Sequence, residues 1–428
     1  MKSEKQGLVP RLRFPEFREA GEWKIKSLGE VCNVLQGYGF PTEMQGKFDG
    51  EYPFCKVSDV SKAVAENGGL LDDAANYIDK EELSKLRAKL IPVGSTVFAK
   101  IGEALRLNRR AYVSRECLID NNVVGLKAAD GAADDYFIYI SSQLIDLNKH
   151  CGGAVPSVNK TTLEAVEIVI PNPDEQQKIA DCLSSLDALI TAQADKIDAL
   201  KTHKRGLMQQ LFPREGETIP RLRFPEFRDA GEWKRSPLGE IVGFMSGGTP
   251  SKDRADYWGG DIPWVSAASM HGISIDRSDR NITQNAVDDG ARIIPKGTLL
   301  ILVRGSMLHK RIPIGLTACK VAFNQDVKAL RMKSDMSEEF LLHLLISNEA
   351  RLLSAVSGTG IGAGKLDTNE LEEFLICVPE MKEEQQRIAS NLSSLDTLIA
   401  THTEKLEALK AHKKGLMQQL FPAVKGAV

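Results

Sequence analysis

The chain has 428 residues, too many for one ordinary domain, and its 42% hydrophobic and 26% charged residues are globular values that exclude a disordered chain. No apolar run approaches the roughly 20 residues of a membrane span. The start "MKSEKQGLVP" has no apolar core of a signal peptide, and seven cysteines without a C-x-x-C pair read as reduced cytoplasmic thiols, with no metal site. A formal net charge of −3 neither points to nucleic acid nor excludes it, because binding needs a local basic face rather than a basic average.

In chain order, the first distinctive segment is "RLRFPEFREAGEWK" at Arg11–Lys24, and it recurs as "RLRFPEFRDAGEWK" at Arg221–Lys234. A variable region follows the first copy. Its stretch "LIPVGSTVFAKIGEALRLNRRAYVSRECLIDNNVVGLKA" mixes short strands with a basic loop, a helix is expected near 134–149, and "EAVEIVIP" returns as a strand.

Glu175–Pro213 then reads "EQQKIADCLSSLDALITAQADKIDALKTHKRGLMQQLFP", and 26 of its 39 residues recur in order at Glu384–Pro422. The chain is therefore two units of about 210 residues, and a tandem pair predicts pseudo-two-fold symmetry. Both copies carry an a/d heptad with steps of 4 and 3. In the first it runs through Ile179, Leu183, Leu186, Ile190, Gln193, Ile197, Leu200, Lys204, Leu207 and Leu211. In the second it runs through Ile388, Leu392, Leu395, Ile399, His402, Leu406, Leu409, Lys413, Leu416 and Leu420. Asp174 is the expected N-cap of the first helix, and Pro213 and Pro422 the stops. Each helix is a rod of roughly 55 Å, whose apolar seam requires a partner. The economical solution is that the two seams bury each other.

Polar residues break the seam at Gln193/His402 and Lys204/Lys413. Two readings of the lysines stand: they fix register, or they snorkel near a helix end. "KTHKRG" and "KAHKKG" likewise read either as cations favoured by a helix C-terminus or as phosphate or partner contacts.

The second variable region holds strands at 299–303 and 327–332, a helix at 337–356 and the returning strand "EEFLICVP". Ile91–Gly94 answers Ile294–Gly297, Lys100 answers Arg304, and "DNNV" at Asp120 answers the "NQDV" around Gln325. Both regions thus read as mixed α/β domains of one fold with diverged surfaces.

No catalytic motif stands out in the chain. "SGTGIGAGKLD" from Ser357 lacks the glycine spacing and the Ser/Thr of a P-loop, and reads as a glycine loop. No zinc-protease, nucleophile-elbow or deaminase motif occurs. Basic loops remain. Arg304, His309, Lys310 and Arg311 surround a loop leaving a strand, and Lys100, Arg106, Asn108, Arg109 and Arg110 stand at the matching place. Arginine matches guanine edges, Asn and Gln match adenine, and either can position phosphate. Tyr38 and Lys56 in the first region, and Thr249, Ser251, Gln325 and Lys365 in the second, complete the candidate set. The plain alternative is a set of solvated loops.

Three strings carry a family resemblance: "LGEIVGFMSGGTPSKDRADYWGGDIPWVS", "IPNPDEQQKIADCLSSLDALI" and the twice-written "HKRGLMQQLFP". The chain resembles the DNA specificity subunits of type I restriction–modification systems over nearly its whole length. The resemblance implies two α/β target recognition domains separated by two long antiparallel coiled-coil helices that act as a ruler. On this scheme residues 1–173 are the first recognition domain, 174–213 the first repeated helix, 214–380 the second recognition domain, and 381–428 the second helix and tail. It further implies a non-catalytic, cytoplasmic subunit that reads a split site in double-stranded DNA. Two modification subunits would dock on the helices, carry S-adenosylmethionine and methylate adenine. Restriction subunits, where present, would use ATP and Mg²⁺. The rival from another class is a coiled-coil scaffold that binds protein.

One expectation follows from the symmetry alone. The N-terminal "LVPRLRFPEF" should lie against the second helix as its twin lies against the first, with Phe14, Phe17, Phe224 and Phe227 as anchors; the alternative is that "RFPEF" only caps the domain that follows it.

Overall fold

The computed structural model describes residues 8–152, 155–358 and 362–422. It forms two compact units, Met1–Lys196 with His402–Val428, and Ile197–Thr401. Two 39-residue helices, Pro173–Leu211 and Lys382–Leu420, each contribute one half to each unit.

Both units carry the same five-stranded sheet. In the first the order is Cys32–Gln36, Val123–Ala128, Thr96–Ala99, Ala111–Val113 and Leu70–Leu71. In the second it is Val242–Ser246, Val327–Met332, Leu299–Leu302, Ile314–Thr317 and Ser274–Ile275. The central strands Thr96–Ala99 and Leu299–Leu302 are buried along their whole length, which is why Val97–Ala99 and Leu299–Leu302 read as apolar runs rather than alternating ones. Expected strands at 299–303 and 327–332 are present. The helix expected near 134–149 is Asp135–Gln143 followed by a short turn of 3₁₀ helix, Leu147–His150. Its counterpart breaks at Asn348 into Glu338–Ser347 and Glu349–Ser354. The fully buried rings of Phe137 and Phe340 anchor these helices in their cores.

The long helices pair antiparallel within each unit. In the first unit Asp187 meets Lys413 at 2.6 Å, while Gln193 Nε2 donates to the carbonyl of His402 at 2.8 Å. A partner that falls in number as the position rises is the mark of antiparallel register. In the second unit Lys204 reaches Asp396 at 2.5 Å. This decides between the two readings of the seam lysines: they are cross-helix ion-pair partners, with side chains only 11% and 16% exposed. The seam is most buried towards both ends of each helix, at Ile179, Leu183 and Leu211 and at Ile388, Leu392 and Leu420. Between them Ile190, Leu200, Leu207, Leu395, Ile399, Leu406, Leu409 and Leu416 are half-buried, whereas Ile197 and Leu186 are buried.

The expected cap is displaced. Asn172, not Asp174, accepts from the Glu175 N–H at 2.9 Å, and Asp174 lies in the first turn, where its charge favours the helix N-terminus.

The repeated segments close on one another. Arg13 binds both oxygens of Glu175, at 2.7 and 2.6 Å, and Trp23 Nε1 donates to the same carboxylate at 3.3 Å. Arg223, Glu384 and Trp233 repeat this at 2.7, 2.7 and 3.3 Å. Both glutamates are 1% exposed. A buried carboxylate requires full pairing, so the glutamate and the distant segment that carries its arginine and tryptophan must be kept together. The expected symmetric seating is also present. Leu12 N–H donates to Gln419 O at 3.0 Å, and Leu222 N–H to Gln210 O at 2.9 Å. The aromatic anchors differ from expectation. Phe14, Phe17 and Phe224 are only half-buried, and Phe227 alone of the four is buried. Trp23 packs edge-on against Phe421 at 5.7 Å, and Trp233 against Phe212 at 6.2 Å.

Candidate nucleic-acid interface

The sheet order places three chain segments side by side at one end of each unit. In the first unit they leave Gln36, leave Ala99 and enter Val123, on three neighbouring strands. In the second they leave Ser246, leave Leu302 and enter Val327. Glycine makes the first crossing possible. A Cβ on Gly37 would stand 1.8 Å from Asp120 O, and one on Gly247 2.0 Å from Phe323 O. Immediately after each glycine the same bond forms: Tyr38 N–H to Ile119 O and Gly248 N–H to Phe323 O, both 2.9 Å.

Hydrogen bonds also fix which residues correspond. Lys100 N–H donates to Asn122 O, and Val303 N–H to Asp326 O, both at 2.8 Å. Lys100 O then accepts from Val158, as Val303 O does from Leu366. Lys100 therefore corresponds to Val303 and Ile101 to Arg304, a correction of one residue to the sequence alignment. The reason is that a polar-to-apolar replacement at a surface edge erases the pattern that marks equivalent positions.

In the second unit the structure brings Arg304, Lys365, His309, Thr249 and Gln325 to this edge. Arg304 and Lys365 are cross-strand partners. Lys365 is neutralised by Asp367 at 2.5 Å, while exposed Arg304 forms no ion pair among the described residues. His309 Nε2 lies 3.2 Å from Gly362 O, and Thr249 Oγ1 donates to Gln325 Oε1 at 2.9 Å. The glycine loop "SGTGIGAGKLD" becomes a hairpin of Ser357–Gly358 and Gly364–Lys365, while its residues 359–361 lie outside the described ones. The "GGTPS" loop, with exposed Thr249 and Ser251, is tied down by two indoles: Trp264 Nε1 donates to Gly248 O and Trp258 Nε1 to Ser251 O, both at 3.0 Å. Lys310 is exposed, and Arg311 donates to Met270 O at 3.1 Å.

The first unit treats its candidates less evenly. Arg110 is 4% exposed, stacks on Phe98 at 4.3 Å and donates to Asn108 Oδ1 at 3.0 Å. Burial pulls its pKa down to about 9, which leaves it charged at neutral pH. Asn108 has a left-handed backbone, with φ of 51°, and also holds Ile145 O. These two side chains are framework, not free readers. Arg106 is exposed beside Glu103 at 3.6 Å, and Arg109 is half-buried. Tyr38 Oη accepts from Lys89 N–H at 2.9 Å, and Lys56 donates to Gln45 Oε1 at 2.8 Å. Lys100 and the Tyr38 backbone stand at the shared edge, where Lys100 donates to Gln36 Oε1 at 3.1 Å in a cleft with Ile101, Ser157, Asn159 and Lys160. Sequence reasoning missed Gln36, Asn159, Ser246 and Lys328. The available signal was alternation: Lys328 is the outward residue of a strand whose neighbours Val327 and Ala329 are buried. No group of residues able to hold a metal ion occurs among the described residues, and no helix there is long and apolar enough to cross a membrane.

Two domains of one mixed α/β fold, each on half of a coiled-coil pair and each ending in a loop edge of its own chemistry, define a tandem recognition protein. Residues 20–202 and 230–411 both match the type I restriction modification DNA specificity domain. The chain belongs to that family. It is 33% identical over 252 residues to the EcoR124I/EcoR124II specificity subunit of Escherichia coli, covering 56% of this chain and 58% of that protein, so the match spans little more than half of the relative. The MjaVIII specificity subunit of Methanocaldococcus jannaschii is 21% identical over 96% of this chain and 93% of its own. A crystal structure of a type I restriction–modification S subunit from M. genitalium superposes with a TM-score of 0.65 at 16% identity, covering 98% of this chain and all of that one, a likeness of fold.

Proposed function

We propose that this chain is the non-catalytic specificity subunit of a type I restriction–modification system and reads a bipartite site in double-stranded DNA. One observation carries the reading. The same three-segment edge is built twice on frames closed by the same residues, Arg13–Glu175–Trp23 and Arg223–Glu384–Trp233, and is finished with different side chains. A protein that reads two unlike half-sites needs one scaffold twice and two unlike edges. Residues 1–173 and 214–380 are then the two readers. The repeated helices, 174–213 and 381–428, offer like surfaces to two modification subunits. Those subunits carry S-adenosylmethionine and methylate adenine in the cytoplasm; restriction subunits, if present, bring ATP and Mg²⁺ chemistry. A solved chain from a study of type I complex assembly and conformational transition aligns over 95% of this chain with a TM-score of 0.51, in keeping with a role inside an assembly.

Exchanging residues 28–171 for the equivalent region of a relative tests this. Methylome sequencing should show one half of the methylated motif changed and the other retained. Methylation at unaltered sites would overturn the reading.

A further inference from the structure

The two interface edges hold one lysine each at the same place, drawn from different strands. In the first unit Lys100 Nζ donates to Gln36 Oε1 at 3.1 Å, at the last residue of the first sheet strand. In the second unit Lys328 Nζ donates to Ser246 Oγ, at the last residue of the equivalent strand. Gln36 pairs with Val124, and Ser246 with Lys328, so positions 124 and 328 correspond. Positions 100 and 303 correspond through their shared backbone bonds to Asn122 and Asp326. The lysine and the valine have therefore changed places: Lys100 with Val124 in one unit, Val303 with Lys328 in the other. Both valines are buried, at 2% and 6% exposure, and both lysines are half-buried with a neutral acceptor. Neither lysine pairs with a carboxylate among the described residues.

We propose that Lys100 and Lys328 are equivalent phosphate-positioning residues, each holding one DNA backbone phosphate at its half-site, while the unlike neighbours Ile101 and Arg304 stand where bases are read. An ammonium is a point charge that suits a phosphate from several directions, so its origin on either strand serves. A base contact depends on the fork or amide geometry and does not survive such relocation. An unpaired charge kept in one place through a change of strand is what a sequence-independent contact requires. This inference rests on the DNA-reading function proposed above.

The test uses the full chain assembled with its modification subunits, on duplexes carrying its own methylated motif. The dependence of log affinity on log salt is measured for the wild type, Lys100→Met and Lys328→Met. Each variant should lower the salt slope by about one unit and keep the methylated motif unchanged. Moving the lysine should restore the slope: Val124→Lys on Lys100→Val in the first unit, and Val303→Lys on Lys328→Val in the second. Thermal unfolding verifies that each variant folds, and the single variants decide the matter if a relocated lysine prevents folding. Wild-type binding with unchanged slopes in both single variants would overturn this inference alone, as would a methylated motif that changes in either. A wild-type assembly without salt-dependent duplex binding would overturn the function it rests on, and this inference with it.

Discussion

The polar cluster on the seam shows where the two units agree and where they part. In the first, Asp187 accepts from Lys413 at 2.6 Å and from Tyr136 Oη at 2.5 Å. In the second, Asp396 accepts from Lys204 at 2.5 Å, and the third position is taken by His343, whose Nε2 lies 3.7 Å from the carboxylate and 3.3 Å from Ser393 Oγ. Aspartate and lysine come from the repeated helices, whereas tyrosine and histidine come from the variable regions. His343 is fully buried, and its Nδ1 and the Asp396 Oδ2 have no hydrogen-bond partner among the described residues. The comparison teaches that identity is kept where a buried charge must be closed by several groups at once. One step outward, at the variable region, even a buried contact drifts.

The largest effect should come from breaking the shared frame. Glu175→Ala leaves the Arg13 guanidinium and the Trp23 N–H buried and unpaired, and Glu384→Ala does the same to Arg223 and Trp233. Each should cost about 3–5 kcal/mol in denaturant unfolding. Equal losses would support the shared frame, and a neutral result in one unit would break the comparison.

Acid should separate the units next. Burial, with Lys204 nearby, pulls the His343 pKa down to about 3, so the folded protein keeps this imidazole neutral while the unfolded chain protonates it near 6.5. The unfolded state binds more protons, and stability falls as pH drops from about 6.5 to about 3, by at most about 1.4 kcal/mol per pH unit. Asp396 opposes this in part. Burial raises its pKa, so its contribution to stability is present at low pH and is lost as pH rises through the raised value. The first unit has Tyr136 in place of the imidazole, with a pKa raised by burial and Asp187. His343→Leu should flatten the acid slope of the second unit and leave the first unchanged, as followed by pH-dependent unfolding.

Arg304→Ala should change recognition by about 1–3 kcal/mol at one base position, while stability stays within about 0.5 kcal/mol. Arg110→Ala should do the reverse, unfolding the first unit more readily without shifting the motif, because its side chain lies under Phe98. The smallest effect is that of Tyr136→Phe, which deletes one hydrogen bond to Asp187 and should cost about 1 kcal/mol.

Much of this was legible in the residues. The heptad of the long helices, the doubled units and the symmetric seating of the N-terminal segment follow from repetition and period, since a 39-residue apolar seam has few ways to leave water. The basic edge of the second unit was legible through Arg304 and its neighbours. Its counterpart was misread by one position, and Arg110 was taken for a reader, because a charged residue in a loop sequence carries no record of which way it points.

Sequence alone therefore determined the two-fold plan, the helix pair, the mixed α/β class and the family. Those properties are written in periodicity and in long identical strings, which are local or self-referential. Only the tertiary structure decided the partners: Lys204 with Asp396, Lys413 with Asp187, Glu175 with Arg13 and Trp23, and the exchange of Lys100 and Val124 for Val303 and Lys328. Each of these depends on which strand or helix lies beside which. A side chain's charge fixes what it needs, and the packing of distant segments fixes where that need is met.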